Sequence, residues 1–183
     1  MIRYLTNLTR QYLTCNKQSF RFKKSSGNIM GICDNQIDLY IHIPFCKSLC
    51  PYCPYNKIVY NKRCIPDYIA ALQSEINLYK QKFQNLEIGS IYIGGGTPTL
   101  LSKELFTILQ NLKRSFRVNG PIAIETNPYD ISKERIEDLE NLGITSVSLG
   151  AQSFKDKFLK ILQRNYSSRD VYKSIELLQK SKI

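Results

Sequence analysis

The chain has 183 residues, with 26 basic side chains against 15 acidic, a net charge of +11, 43% apolar residues and 22% charged residues. A chain of this length buries roughly two-thirds of its unfolded surface and holds a core without disulfides, and no apolar run approaches the ~20 residues of a membrane span. A soluble, cytoplasmic protein of one domain is expected, and with no aromatic-rich RNA-binding strand beside the basic excess, nucleic acid is not an expected partner.

Residues 1–37 carry Arg3, Arg10, Lys17, Arg21, Lys23 and Lys24 against Asp34 alone. They lack the apolar core and cleavage site of a secretory signal and are read as a poorly ordered basic arm, with a presequence as the alternative. From residue 38 to residue 183 strands and helices alternate. Asp38–Ile43 reads as a strand, and Pro66–Phe83 as a helix with Ile69, Leu72, Ile76 and Tyr79 on one face and Pro66 in its first turn. Ile88–Ile93 is a second strand, closed by Gly94-Gly-Gly. Ser102 is placed as the cap of a helix whose buried face is Leu105, Ile108, Leu109 and Leu112. Ile122–Glu125 is a third strand. Ser132–Leu142 is a helix with Ile136 and Leu139 inward and Gly143 as its stop. Ile144–Leu149 is a fourth strand, and helices follow near Phe158–Leu162 and Val171–Leu178.

Strict alternation calls for a parallel sheet with right-handed crossovers, and the near-uniformly apolar runs suggest strands covered on both faces. Four strand–helix units make an arc, so the expected fold is α/β, a partial (β/α) barrel. The fourth strand would leave an edge open to pairing.

Cys46-Lys-Ser-Leu-Cys50-Pro-Tyr-Cys53 places three thiols on the loop after the first strand, where ligands gather in parallel α/β folds. Thiolates select zinc or iron–sulfur centres. Structural zinc wants a fourth ligand, but Cys64 is eleven positions on and the single histidine, His42, lies in the preceding strand. A [4Fe–4S] cube on three cysteines leaves one iron open for a chelating ligand. Cluster, zinc and coincidence remain open on spacing alone. Cys15, Cys33 and Cys64 match no motif and are read as packing thiols.

Three further strand tips carry unusual chemistry. Gly94-Gly-Gly-Thr-Pro-Thr99 lets backbone approach a ligand and present free N–H and C=O groups, while Pro98 is read as blocking an immediate helix. Glu125-Thr-Asn-Pro128 ends the third strand and Gly150-Ala-Gln152-Ser-Phe the fourth. Polar residues at the C-terminal ends of barrel strands read as site residues.

Tyr40-Ile-His-Ile-Pro-Phe-Cys46, the CxxxCxxC loop, GGGTPT, ETNP and SLGAQSF, in this order, resemble the radical SAM branch of oxygen-independent coproporphyrinogen III oxidase and the related heme chaperones. The resemblance implies a [4Fe–4S] cluster on Cys46, Cys50 and Cys53, with S-adenosylmethionine (SAM) on the open iron and reductive cleavage to a 5′-deoxyadenosyl radical. It implies cofactor contacts from Tyr40, Glu125, Gln152 and Arg164, and from Tyr52 through its backbone, with Gly95, Gly96 and Thr97 cradling SAM. His42 would tune the cluster or serve the radical chemistry, with a hydrogen-bonded strand histidine as the alternative. The resemblance further implies a small-molecule substrate, a tetrapyrrole among the options, and a one-electron donor such as flavodoxin or ferredoxin. Tyr55 stands where the oxidase has another cysteine, which leans the reading toward the chaperone-like relatives. The match covers only the N-terminal part of the family's catalytic domain, so a complementing C-terminal half, or an inactive fragment, is also expected.

Overall fold

The computed structural model describes residues 35–83 and 85–183; the readings on the basic arm up to residue 34, with Cys15 and Cys33, lie outside them. Four strands, β1 (Gln36–Ile43), β4 (Glu87–Gly95), β6 (Ile122–Thr126) and β7 (Ser146–Leu149), lie side by side in that order, each pair parallel. The expected parallel arc is therefore present. Helices α1 (Ile65–Lys82), α2 (Ser102–Ser115) and α3 (Lys133–Asn141) lie between successive strands of the sheet, and α4 (Asp156–Ile161) and α5 (Ser168–Gln179) follow β7. A short β5 (Arg117–Val118) pairs with the start of β4 before β6 takes over. Phe45–Cys46 (β2) and Ile58–Val59 (β3) form a separate two-stranded parallel ladder. Neither two-residue element has enough length to show a period in the sequence.

Register explains the core. Ile41, Ile93, Ile124 and Val147 form one row across the sheet, and the first three are at most 5% exposed. Leu105, Ile108, Leu109 and Leu112 of α2 and Ile136 and Leu139 of α3 are all buried too, as the helical spacing required. The neighbouring row, Tyr40, Tyr92, Ala123 and Ser146, lies on the opposite face, where Tyr40 is 54% and Tyr92 38% exposed. The expectation of strands covered on both faces is thus corrected: one face is packed, and the other is open and lined by polar and aromatic side chains.

Local boundaries moved for identifiable reasons. β1 begins at Gln36, and β4 runs through Gly94 and Gly95, which pair with His42 and Ile43. Ile144 lies before β7, its amide bonded to Leu139 O. Ser102 is inside its helix rather than capping it; Leu101 takes the cap position without a side-chain bond, and Ser102 Oγ donates to Asp138 at 3.0 Å. Pro98 does not delay helical backbone but opens a 3-10 turn, Pro98–Leu101, as its fixed φ suits a first-turn position. Cys64 is exposed, so it is not a packing thiol.

Ser132 and Gly143 behave as read. The Ser132 Oγ accepts the Arg135 amide at 3.1 Å, and Gly143 ends the helix at φ +76°, a conformation that favours glycine. Ser132→Ala is expected to cost about 1 kcal/mol; a urea midpoint equal to that of the wild type would show that the bond contributes nothing. Among the described residues no helix is long and apolar enough to cross a membrane.

Candidate functional site

The cysteine loop is zipped at its base and stapled within. Ile58 N donates to Pro44 O and Tyr60 N to Cys46 O, both at 2.8 Å, which closes residues 47–57 into a loop. Lys57 Nζ reaches back to Cys50 O at 2.8 Å and Cys53 O at 3.1 Å, drawing both carbonyls toward one ammonium. From β1, the His42 Nε2–H donates to Asn56 O at 2.9 Å. That bond fixes the tautomer, so His42 Nδ1 accepts from Tyr40 Oη at 3.0 Å. Burial pushes the Cys46 thiol upward; Cys50 and Cys53 add to this, while Thr97 and Lys57 oppose it. Thr97 Oγ1 lies 3.8 Å from Cys46 Sγ.

The glycine run is pressed against this loop. Gly95 sits at φ +118°. A Cβ on Gly96 would stand 2.6 Å from Phe45 O and 2.8 Å from Pro44 C. The N–H groups expected to face a ligand are engaged within the protein: Gly95 donates to Glu125 Oε2 at 3.0 Å, Gly96 to Ile43 O at 2.7 Å and Thr97 to Phe45 O at 2.8 Å. The run therefore builds the wall by close backbone contact and spends these donors on its own neighbours.

Glu125 is held on both oxygens, by Gly95 and by Tyr92 Oη at 2.8 Å. Burial, and then Glu125, raises the Tyr92 phenol above its ordinary value, and Tyr40 is raised by burial and the same carboxylate. Asn127 Nδ2 donates to Thr97 Oγ1 at 3.4 Å, while its buried Oδ1 has no partner among the described residues.

After β7, Gln152 turns the chain at φ +62°, and Arg164 crosses back to the cysteines. Its Nη1 donates to Cys50 Sγ at 2.9 Å and Tyr52 Oη at 3.1 Å; its Nε donates to Tyr166 Oη at 2.8 Å. Burial alone would lower the guanidinium pKa, but Tyr166, Cys50 and Tyr52 outweigh it and the net shift is upward.

One cleft of about 340 Å³ gathers most of these side chains. Cys46, Cys50, Cys53, Tyr52, Gly95, Gly96, Thr97, Glu125, Gln152 and Arg164, all singled out from the sequence, line it together. Tyr40 and His42 are not among its lining residues; they are bonded to each other, and His42 to Asn56 O of the loop. Lys47, Lys57, Asn127 and Tyr129 also line the cleft and were not foreseen. Asn127 was within reach, being part of the ETNP motif, whereas lysine placement in a loop leaves no periodic signal. Among the described residues no three Cys, His, Asp or Glu side chains are gathered closely enough to hold one metal ion.

The radical SAM superfamily model matches residues 40–183. The heme chaperone HemW of Bacillus subtilis is 36% identical over 141 residues, covering 75% of this chain and 37% of its own length. The oxygen-independent coproporphyrinogen III oxidase of Salmonella typhimurium is 32% identical over 143 residues, covering 76% of this chain and 31% of its own length. Among solved structures, coproporphyrinogen III oxidase (HemN) from Escherichia coli, a radical SAM enzyme, superposes with a TM-score of 0.71 at 29% identity, over 78% of this chain and 34% of that one. This chain therefore spans about a third of the length of the relatives it matches. With the parallel arc and the cysteine cleft in place, this chain belongs to the radical SAM superfamily and corresponds to the N-terminal part of its coproporphyrinogen III oxidase and heme chaperone branch.

Proposed function

We propose that the chain is the cofactor-binding part of a radical SAM protein of heme metabolism, with a [4Fe–4S] cluster on Cys46, Cys50 and Cys53 and SAM beside it. The observation that carries this reading is the meeting of three CxxxCxxC thiols with Glu125 and Arg164 in one cleft. The residues fit the group. The three thiols of one CxxxCxxC loop line one cleft, thiolates are ligands for soft metal centres, and a four-iron cube held by three of them keeps one iron open for SAM. When bound, the cluster and SAM supply one-electron cleavage of the sulfonium to methionine and a 5′-deoxyadenosyl radical, which takes hydrogen from a substrate.

This chain's residues bind and orient. The Arg164 guanidinium suits the carboxylate of the methionine end. Glu125 and the unpartnered Asn127 Oδ1 suit its ammonium, since a buried acceptor without a donor is costly. Gly95, Gly96 and Thr97 form the wall, with Gln152 and Tyr52 at its rim. His42 has both ring nitrogens engaged, so its role is to hold Tyr40 and the loop in place. A small-molecule substrate, a tetrapyrrole among the options, a flavodoxin- or ferredoxin-like electron donor and a complementing C-terminal part complete the reading.

A heme carrier that retains the cluster is the second reading, supported by the heme chaperones among the relatives and by Tyr55 in place of the oxidase's extra cysteine. Heme titration separates the two. The test of both is anaerobic reconstitution followed by electron paramagnetic resonance. The reduced protein is expected to give a [4Fe–4S]⁺ signal that changes with SAM and is lost in Cys50→Ala. If the wild type gathers no cluster, or one indifferent to SAM, the chain is an inactive fragment and the reading falls.

A further inference from the structure

Asp130 closes the 3-10 turn Pro128–Asp130 that follows β6. Its side chain is 3% exposed, and both carboxylate oxygens are engaged. Oδ1 accepts from Lys47 Nζ at 2.9 Å, and Oδ2 accepts from the Thr99 hydroxyl at 3.1 Å. Because the Thr99 hydrogen is committed to Asp130, the Thr126 hydroxyl, 2.9 Å from Thr99 Oγ1, donates into the same chain. Lys47 follows Cys46 directly, and its ammonium also lies 4.5 Å from the centre of the Tyr129 ring.

The cysteine loop is thereby tied to the third strand tip across 83 positions of sequence, and through Thr99 to the turn after the glycine run. Packing alone would hold this loop poorly, since Leu49, Tyr52 and Tyr55 are exposed. A buried carboxylate is costly when unpaired, so separating Lys47 from Asp130 is opposed more strongly than separating a surface pair. The same strand tip carries Glu125 and Asn127, and Lys47 and Tyr129 line the cleft with them.

We propose that Asp130 is a positioning residue: through Lys47 it sets the cysteine loop against the strand tip that carries Glu125 and Asn127, and so couples the thiol side of the cleft to the side where SAM lies. The coupling rests on the cofactor reading above, whereas the tether rests on geometry alone. Any such coupling is reciprocal, with cluster and SAM each favouring the other.

The tether is tested on the full 183-residue chain without cluster, by amide hydrogen exchange in the wild type, Asp130→Asn, Lys47→Met and Lys47→Arg. In Asp130→Asn and Lys47→Met, the loop amides of Cys53, Ile58 and Tyr60, each bonded within the loop or its base, are expected to exchange at least tenfold faster. Amides in α2 keep wild-type rates, and Lys47→Arg retains most of the loop protection. Equal acceleration everywhere would mean general loss of stability and would overturn the proposal, as would an unchanged loop. The double variant Asp130→Asn/Lys47→Met removes the buried charge together with its partner, so it folds even where a single variant does not, and its loop must still exchange fast.

The coupling is tested on cluster-loaded protein. Asp130→Asn is expected to need at least tenfold more SAM for the same change in the resonance signal. A loosened loop with an unchanged SAM requirement overturns the coupling. If the wild type assembles no cluster, the cofactor reading fails, while the exchange experiment still decides the tether.

Discussion

Gly96→Ala is expected to destabilise the chain by about 3 kcal/mol and to abolish cluster retention. The added methyl group would stand 2.6 Å from Phe45 O and 2.8 Å from both Pro44 C and Pro44 O. All three are backbone atoms, which cannot rotate aside as a side-chain end can. Relief requires β4 and the Pro44–Cys46 segment to part, and two bonds bridge that gap: Gly96 N to Ile43 O at 2.7 Å and Thr97 N to Phe45 O at 2.8 Å. Loss of the second also moves Thr97 away from Cys46, the first thiol of the loop. One methyl group therefore acts on stability and on the cysteines together. The measurement is a urea unfolding curve with the iron content of the reconstituted protein. A wild-type midpoint with full iron would show that the two segments separate at no cost and that the close contact is not what positions Cys46.

The arc itself was legible because long elements repeat a period. The spacing of Leu105, Ile108, Leu109 and Leu112 assigns them to one buried helix face, and all four are buried. The cleft was legible because its chemistry sits in short runs at strand tips, where a parallel sheet brings residues distant in sequence together. What escaped the sequence was how those runs use their polar groups. GGGTPT reads as a set of free donors, yet its amides bind Glu125, Ile43 and Phe45, because the strand that ends in it continues through Gly95 alongside β1. Ser102 looks like a helix cap, but Asp138 and Arg135 of α3 claim its hydroxyl, a tertiary preference that no local pattern contains. Lys47, Lys57 and Asp130 likewise look like ordinary loop charges until the fold brings them to their partners. The open face of the sheet was misjudged for a related reason: Tyr40 and Tyr92 count as apolar in a strand pattern, although their hydroxyls bond His42 and Glu125.

Glu125→Gln is expected to weaken SAM binding by about 2 kcal/mol, roughly thirtyfold, with little change in stability. The carboxylate takes Tyr92 Oη on one oxygen and Gly95 N on the other. Glutamine keeps a carbonyl for Gly95, and the Tyr92 hydroxyl can turn to accept from the new amide, so the local bonds survive and the charge alone is lost. The tyrosines report that loss independently of any ligand. Burial and then Glu125 hold the Tyr92 phenol above its ordinary value, because a neighbouring anion opposes a second one. Without the carboxylate the phenol must ionise at lower pH than in the wild type, and Tyr40, raised by burial and by Glu125, must move the same way. A pH titration of the tyrosine resonances measures this in the cofactor-free chain, and SAM titration of the reconstituted protein measures affinity. If Tyr92 moves and the affinity does not, Glu125 shapes the strand tip without touching SAM, and Asn127 Oδ1, a buried acceptor with no partner among the described residues, becomes the candidate for the ammonium.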